Sequence, residues 1–297
     1  MLIDIAIGDA YGAGFEFVDP EIVEKNNTLE RYYAHPKSTL EGGQYTDDTQ
    51  MSLAIAELLI DEPVWTPELI AHKFVKVYKR DPRDGYARGF QAFLEEVKDG
   101  EEFLAKIKPK SMRNGAAMRS VPLGYIEDID ELLHKAEMQA KITHDTHIGI
   151  LSSQAVALLS HYSLRNNHLG YNFINEDGHI NFLKKHIGMQ FSSCWMRKVG
   201  CDAYETVSGV ATVLTHSFGR KEILTNSVAL TGDTDSVASI ANGIFKYPVW
   251  MEDKTGYELP KFLFDDLENG SYGRDYILAV DSTLKEHFKD DVTPTEI

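Results

Sequence analysis

An all-α fold in a single domain is what this sequence predicts, and three observations predict it. Apolar residues recur at three- and four-residue intervals wherever a pattern can be read, regularly spaced alternating strands are missing, and no Pro/Gly/Ser-rich linker divides the chain into two cores. From Thr49 to Ile60 the residues Met51, Ala54, Ile55, Leu58 and Leu59 fall on one stripe. Next comes a well-marked helix start: Thr66 is placed to cap, Pro67 suits the first helical position and Glu68 the positive end, ahead of Leu69, Ile70, Phe74, Val77 and Tyr78. Similar stripes run from Asp130 to Ala140, Ile148 to Tyr162, Ala203 to His216, Lys221 to Leu230 and Ser236 to Phe245. Two stretches break the pattern. The Asn-rich run from Arg165 to Gly178 reads as a surface insertion, and the chain after Lys285 as a frayed end, so the domain is expected over 1–285 with a tail at 286–297.

Composition narrows the partners. Of 297 residues, 43% are hydrophobic, enough for one large core, and 30 Lys and Arg stand against 46 Asp and Glu for a net charge of -16. That balance excludes a long polyanion such as a nucleic acid, whose binding needs clustered cations, while an excess of carboxylates is what a divalent-cation site requires. Cys194 and Cys201 are too few and too close for a disulfide framework or a four-thiolate zinc site, and both are expected to be reduced packing residues. No basic segment followed by an apolar core opens the chain, and no apolar run is long enough for a membrane span, so a cytoplasmic protein without a membrane partner is expected, as a monomer.

Two clusters carry the chemistry. Tyr45-Thr46-Asp47-Asp48-Thr49 stands immediately before an amphipathic helix. Thr and Asp are good caps and acids favour the positive end of a helix, so one acid there needs no function; two adjacent acids between two threonines exceed what capping needs, and such all-oxygen donors suit Mg²⁺ or Mn²⁺. Thr231-Gly232-Asp233-Thr234-Asp235-Ser236 repeats the design ahead of Val237, Ile240, Ala241, Ile244 and Phe245. In a loop entering a helix, Asp233 and Asp235 can point at one centre, and two such clusters far apart in sequence point to one shared dinuclear site.

Three weaker features accompany them. Glu16 follows Gly8, Gly12 and Gly14, a pattern that fits close helix packing ahead of a surface glutamate and lacks nucleotide-loop spacing. Asn114-Gly115-Ala116-Ala117-Met118-Arg119 reads as a loop feeding a short helix, with Arg113 and Arg119 placed for charge-assisted bonds to phosphate. Thr143-His144-Asp145-Thr146-His147 lacks the H-E-x-x-H pairing of a zinc site and fits capping or substrate contact instead.

Taken together, G-D-A-Y-G with Glu16 behind it, Y-T-D-D-T, N-G-A-A-M-R, T-H and G-D-T-D-S occur in an order that resembles the ADP-ribosylglycohydrolase family, over Gly8 to about Phe245. The resemblance implies a compact all-α domain with two Mg²⁺ ions, or Mn²⁺, at the base of an ADP-ribose cleft. One ion would be held by Thr46, Asp47, Asp48 and Asp235, the other by Asp233, Asp235 and Ser236. Glu16 and Asp48 would stand at the reacting centre, Glu16 for proton transfer or for positioning the attacking water. Asn114, Gly115, Met118 and Arg119 would cradle the diphosphate and distal ribose, and His144 would touch substrate. The activity implied is release of ADP-ribose from a modified protein, best matched by an arginine linkage, or from a small ADP-ribose conjugate. Two rivals stand beside it: a two-metal phosphohydrolase of a nucleotide diphosphate, since paired carboxylates and Mg²⁺ serve phosphoryl transfer equally well, and a non-catalytic ADP-ribose-binding or crystallin-like protein.

Overall fold

The computed structural model describes residues 1–166, 178–247 and 251–289. Among them the chain is all-α, without strands, as its periodicity predicts. The central layer is α1 (Leu2–Ala13) laid along α13 (Thr234–Ile244), the most extensive contact in the fold, flanked by α3 (Asp47–Asp61), α12 (Arg220–Ala229) and α15 (Arg274–His287). Helix α1 is buried on almost every side, from Leu2 and Ile5 round to Ala10 and Tyr11, so it carries no amphipathic stripe for a sequence pattern to find.

The predicted helices are all present, shifted by a residue or two at their ends except for α9, which runs on four residues past Tyr162 to Asn166 and takes the buried Arg165 out of the expected surface insertion. Helix α4 (Pro67–Arg80) starts as expected, with the Thr66 hydroxyl accepting from Leu69 N at 3.3 Å. It packs against the short α6 (Gly100–Lys106) and α5 (Arg88–Glu96). Helix α7 (Gly115–Met118) and the 3-10 turn Val121–Tyr125 lead to α8 (Ile129–Lys141) and α9 (His147–Asn166), which pack together. Helix α9 is joined by α10 (Gly178–Ile187) and α11 (Ala203–His216), while α2 (Pro20–Asn26) and α14 (Phe262–Asp265) are short outer turns.

Residues 167–177, the body of the expected insertion, lie outside the described residues, as do 290–297 of the expected tail. Helix α15 runs two residues past Lys285, and Phe288 then stacks on Tyr125 at 5.8 Å between ring centres, so the packed structure extends beyond the expected boundary. No helix among the described residues is long and apolar enough to cross a membrane.

Candidate active site

The two acidic turns meet. Thr46 and Asp233 each precede a helix, α3 and α13, and neither side chain caps it. The Thr46 and Thr49 amides are satisfied instead by Asp9 of α1, which accepts from Thr46 N, Thr46 Oγ1, Thr49 N and Thr49 Oγ1 at 2.6–2.9 Å. Asp9 thus caps α3 from another helix and leaves Asp47 and Asp48 free of that duty. Thr46 is fully buried; its hydroxyl proton goes to Asp9, which leaves the oxygen lone pairs available to an electrophile. From α13, Ser236 Oγ reaches Asp48 Oδ2 at 3.3 Å and Ser239 Oγ reaches Asp48 Oδ1 at 2.9 Å, so the clusters are in direct contact across the helix pair.

Glu16 is not the surface glutamate that its local pattern suggested. It is half-buried, and its carboxylate lies with those of Asp233 and Asp235 in a group whose ligand atoms are all within 4.8 Å of one another. Asp9, Glu16, Asp47, Asp48, Asp233 and Asp235 therefore converge, and among the described residues none of the six forms an ion pair. Burial, with repulsion from neighbouring acids, holds Asp47, Asp48 and Asp235 well above the usual carboxylate range. Burial first, then Asp233 and Asp9, pushes Glu16 up to about 7. Buried carboxylates without a counter-cation are costly, and hard oxygen donors in this number fit a divalent cation such as Mg²⁺ or Mn²⁺.

Above this acidic floor lies a cavity of about 630 Å³. Its walls include Tyr86, Phe90 and Phe93 from the loop and helix after α4, Met118 and Gly115 from α7, and His144. Gly85, with φ +108, is pressed so close to the acidic turn that a Cβ there would stand 2.2 Å from Asp47 Oδ1. Asn114 joins floor to wall: its Nδ2 donates to Asp233 Oδ2 and to Thr206 Oγ1, both at 3.1 Å.

Arg119 also lines the cavity, yet its guanidinium is largely committed. It stacks 4.4 Å over Phe74 and donates through Nε to Gln139 and through Nη2 to Gln139 O and Thr143 Oγ1 at 2.9 Å. Thr143 Oγ1, which accepts from Arg119, also lies within hydrogen-bond distance of His144 Nδ1 at 2.6 Å. Burial, then Arg119, brings His144 down to about 3, which keeps the ring neutral. Its Nε2 edge faces Gly115 at the cavity wall.

A family model described as ADP-ribosylglycohydrolase matches residues 1–245. The chain belongs to the ADP-ribosylglycohydrolase family. Membership makes it a hydrolase of glycosidic bonds to ADP-ribose. It is 25% identical to the human ADP-ribosylhydrolase ARH3, in a match covering 88% of this chain and 90% of that one. It is 24% identical to the ADP-ribosylarginine hydrolase Tri1 of Serratia proteamaculans, over 54% of this chain and 45% of that one. Several other relatives likewise match over only about half of their own length. A solved structure titled ADP-ribosylglycohydrolase-related protein complex superposes with a TM-score of 0.69 and 21% identity, covering 97% of this chain and 96% of that one, and shares the fold.

Several residues of this ADP-ribosylglycohydrolase site escaped sequence reading. Asp9 is the foremost; an acid in an otherwise apolar, Gly-rich helix was its only local signal. The cysteines also need correcting as packing residues. Cys194 is exposed, and Cys201 lines the cavity, where burial and then Asp233 raise its thiol to about 12, so it stays protonated.

The charge arrangement makes stability depend on metal and pH. A carboxyl whose pKa is raised on folding binds its proton more tightly in the folded state, so the folded form gains stability as pH falls through about 7, by Glu16 alone about 1.4 kcal/mol per pH unit. His144, His161 and His179 act oppositely: burial lowers them to about 3, 4 and 4, so the unfolded chain takes up protons below about 6.5 that the folded one refuses. The metal-free protein is expected to lose Tm as pH rises from 6.5 toward 8, while below 6.5 the three histidines offset most of the carboxyl gain. Thermal unfolding with and without Mg²⁺ checks this; Mg²⁺ should flatten the alkaline arm only, and an unchanged alkaline arm would mean that the acids bind no cation.

Proposed function

We propose that this chain is a metal-dependent hydrolase that releases ADP-ribose from arginine-linked ADP-ribosyl protein by cleaving the bond at C1″. The observation that carries the reading is the convergence of five buried carboxylates and the half-buried Glu16, without a cation partner among the described residues, at one cavity of nucleotide size. The arginine linkage is supported by the likeness to a relative named as an ADP-ribosylarginine hydrolase.

In this reading Thr46, Asp47, Asp48 and Asp235 would hold one cation, and Asp233, Asp235 and Ser236 the other. When bound, the two ions supply positive charge that fixes the ribose hydroxyls and orients a water. Glu16, beside Asp233 and Asp235, takes a proton from the attacking water as its oxygen bonds to C1″; the C1″–N bond breaks, and the leaving guanidine nitrogen takes up the proton that Glu16 gives back. Asp48 is kept in place by Ser236 and Ser239. His144 meets the substrate through its Nε2 edge. Arg119, whose bonds are made to Gln139 and Thr143, acts as a positioning residue that holds Thr143 beside His144 rather than as a phosphate ligand. Gly115 and Met118 shape the wall for the distal ribose and diphosphate, and Phe90 and Phe93 offer aromatic faces to a planar base.

Incubation with arginine-ADP-ribosylated protein in Mg²⁺ tests the reading. Free ADP-ribose is expected, lost on chelation and restored by Mg²⁺ or Mn²⁺. AMP with ribose phosphate would identify a phosphohydrolase instead, and no product with either ion would identify a binding protein.

A further inference from the structure

One loop, residues 195–201, borders the cavity and is clipped in place from both sides. Val199 N donates to Thr231 O at 3.1 Å and Asp233 N to Val199 O at 2.9 Å, which ties it to the acidic turn. Asn114 N donates to Cys201 O at 3.0 Å and Ala203 N to Met112 O at 3.1 Å, which ties it to the segment before α7. The loop is therefore a fixed part of the mouth, and what it displays is unusual for this protein. Met196 is 89% exposed, Arg197 stacks 4.6 Å over the buried Trp195, and Lys198 Nζ lies 5.0 Å from the ring of Phe17.

Phe17 lines the cavity, follows Glu16 and is 42% exposed, with φ +49. A left-handed conformation at a bulky residue costs about 1–3 kcal/mol and persists only where the surroundings enforce it; here Phe17 N donates to Gly232 O at 2.7 Å. Met112, 60% exposed, stands on the opposite clip. In a chain of net charge -16, Arg197 and Lys198 form no ion pair among the described residues.

We propose that the Met196–Arg197–Lys198 loop, with Phe17 and Met112, is a docking rim for an acidic, extended stretch of the ADP-ribosylated protein flanking the modified residue. This rests on the reading that the substrate is an ADP-ribosyl protein. The two cations meet carboxylates on the partner, while Met and Phe give an apolar contact that adapts to different side chains. Charges beyond about 8 Å are screened at physiological salt, so the partner experiences the rim and not the acidic total. A nucleic acid is disfavoured, because two rim cations neutralise too few phosphates to give it appreciable affinity.

The test uses the full chain in Mg²⁺ and one arginine-linked ADP-ribosyl group in three settings: a peptide with acidic flanks, a peptide with basic flanks, and free arginine. The wild type should show the lower KM on the acidic peptide, a preference erased at high salt. Arg197→Glu with Lys198→Glu should raise that KM about tenfold and lower the KM on the basic peptide, leaving kcat and the free-arginine reaction unchanged. Lys198→Glu alone, which spares the Trp195 stack, should give a smaller shift in the same direction. Equal KM on both peptides, or equal slowing on free arginine, overturns the docking rim; so does an equivalent KM rise on an ADP-ribosylated oligonucleotide. No release from any substrate by the wild type overturns the underlying function, and the rim with it.

Discussion

Glu16→Gln is expected to lower kcat about a thousandfold while leaving the affinity for ADP-ribose within about twofold. Glutamine keeps the size and most of the hydrogen-bonding reach of glutamate but cannot take up a proton from water. The position is well defined: Glu16 lies between an exposed Phe17 and a buried Phe15, its backbone carbonyl bonded to His35 Nε2 at 2.9 Å, with its carboxylate near those of Asp233 and Asp235. That same nearness permits a second role as a metal ligand, and one measurement separates the two. If Glu16 moves a proton, the variant should need the same Mg²⁺ concentration for half-maximal residual activity as the wild type. If it binds the ion, that concentration should rise sharply. Wild-type turnover in the variant would remove Glu16 from the reaction altogether.

The two acidic turns were legible because a hydroxyl-acid-acid cluster at a helix start offers more donors than one cap can use, and this holds whatever the rest of the chain does. That the turns share a centre was legible only as coincidence of design. What brings them together is tertiary: Asp9, thirty-seven positions before Thr46, takes over the capping of α3, and no local window contains both residues. The boundaries of α11 matched the periodicity fully, and Asp202 marks its start by capping through Tyr204 N and Glu205 N. Helix α1, buried on almost every side and without a side-chain cap, offered only its glycine spacing as a signal. Arg119 illustrates the same limit. An arginine after a short helix reads as a phosphate ligand, while its bonds to Gln139 and Thr143, which arrive from α8 and its C-terminal turn, lie outside any local window.

Gly12→Ala is expected to damage fold and site together, by about 3 kcal/mol of stability and at least a hundredfold in activity. Gly8 and Gly12 lie one turn apart on the face of α1 that meets α13. A Cβ on Gly8 would stand 2.3 Å from Ala238 O, and one on Gly12 would stand 2.5 Å from Thr234 O and 2.6 Å from Asp235 Cα. These are backbone atoms, so no rotamer change can make room and α13 must move away. Thr234 Oγ1, which donates to Gly12 O at 2.8 Å, would lose its partner in the same step. Helix α13 carries Asp235 and Ser236, while α1 carries Asp9 and with it the α3 turn, so the movement would open the 3.3 Å contact between Ser236 and Asp48. Gly270→Ala serves as the control: nothing lies within 4 Å of its Cβ position, and it should change stability by less than about 0.5 kcal/mol. Thermal unfolding and ADP-ribose release, measured on both variants, decide the matter. A Gly12→Ala protein with unchanged Tm and full activity would mean that the glycine seam does not set the spacing of the acids. A protein that folds stably but binds Mg²⁺ weakly would show the seam acting through site geometry alone.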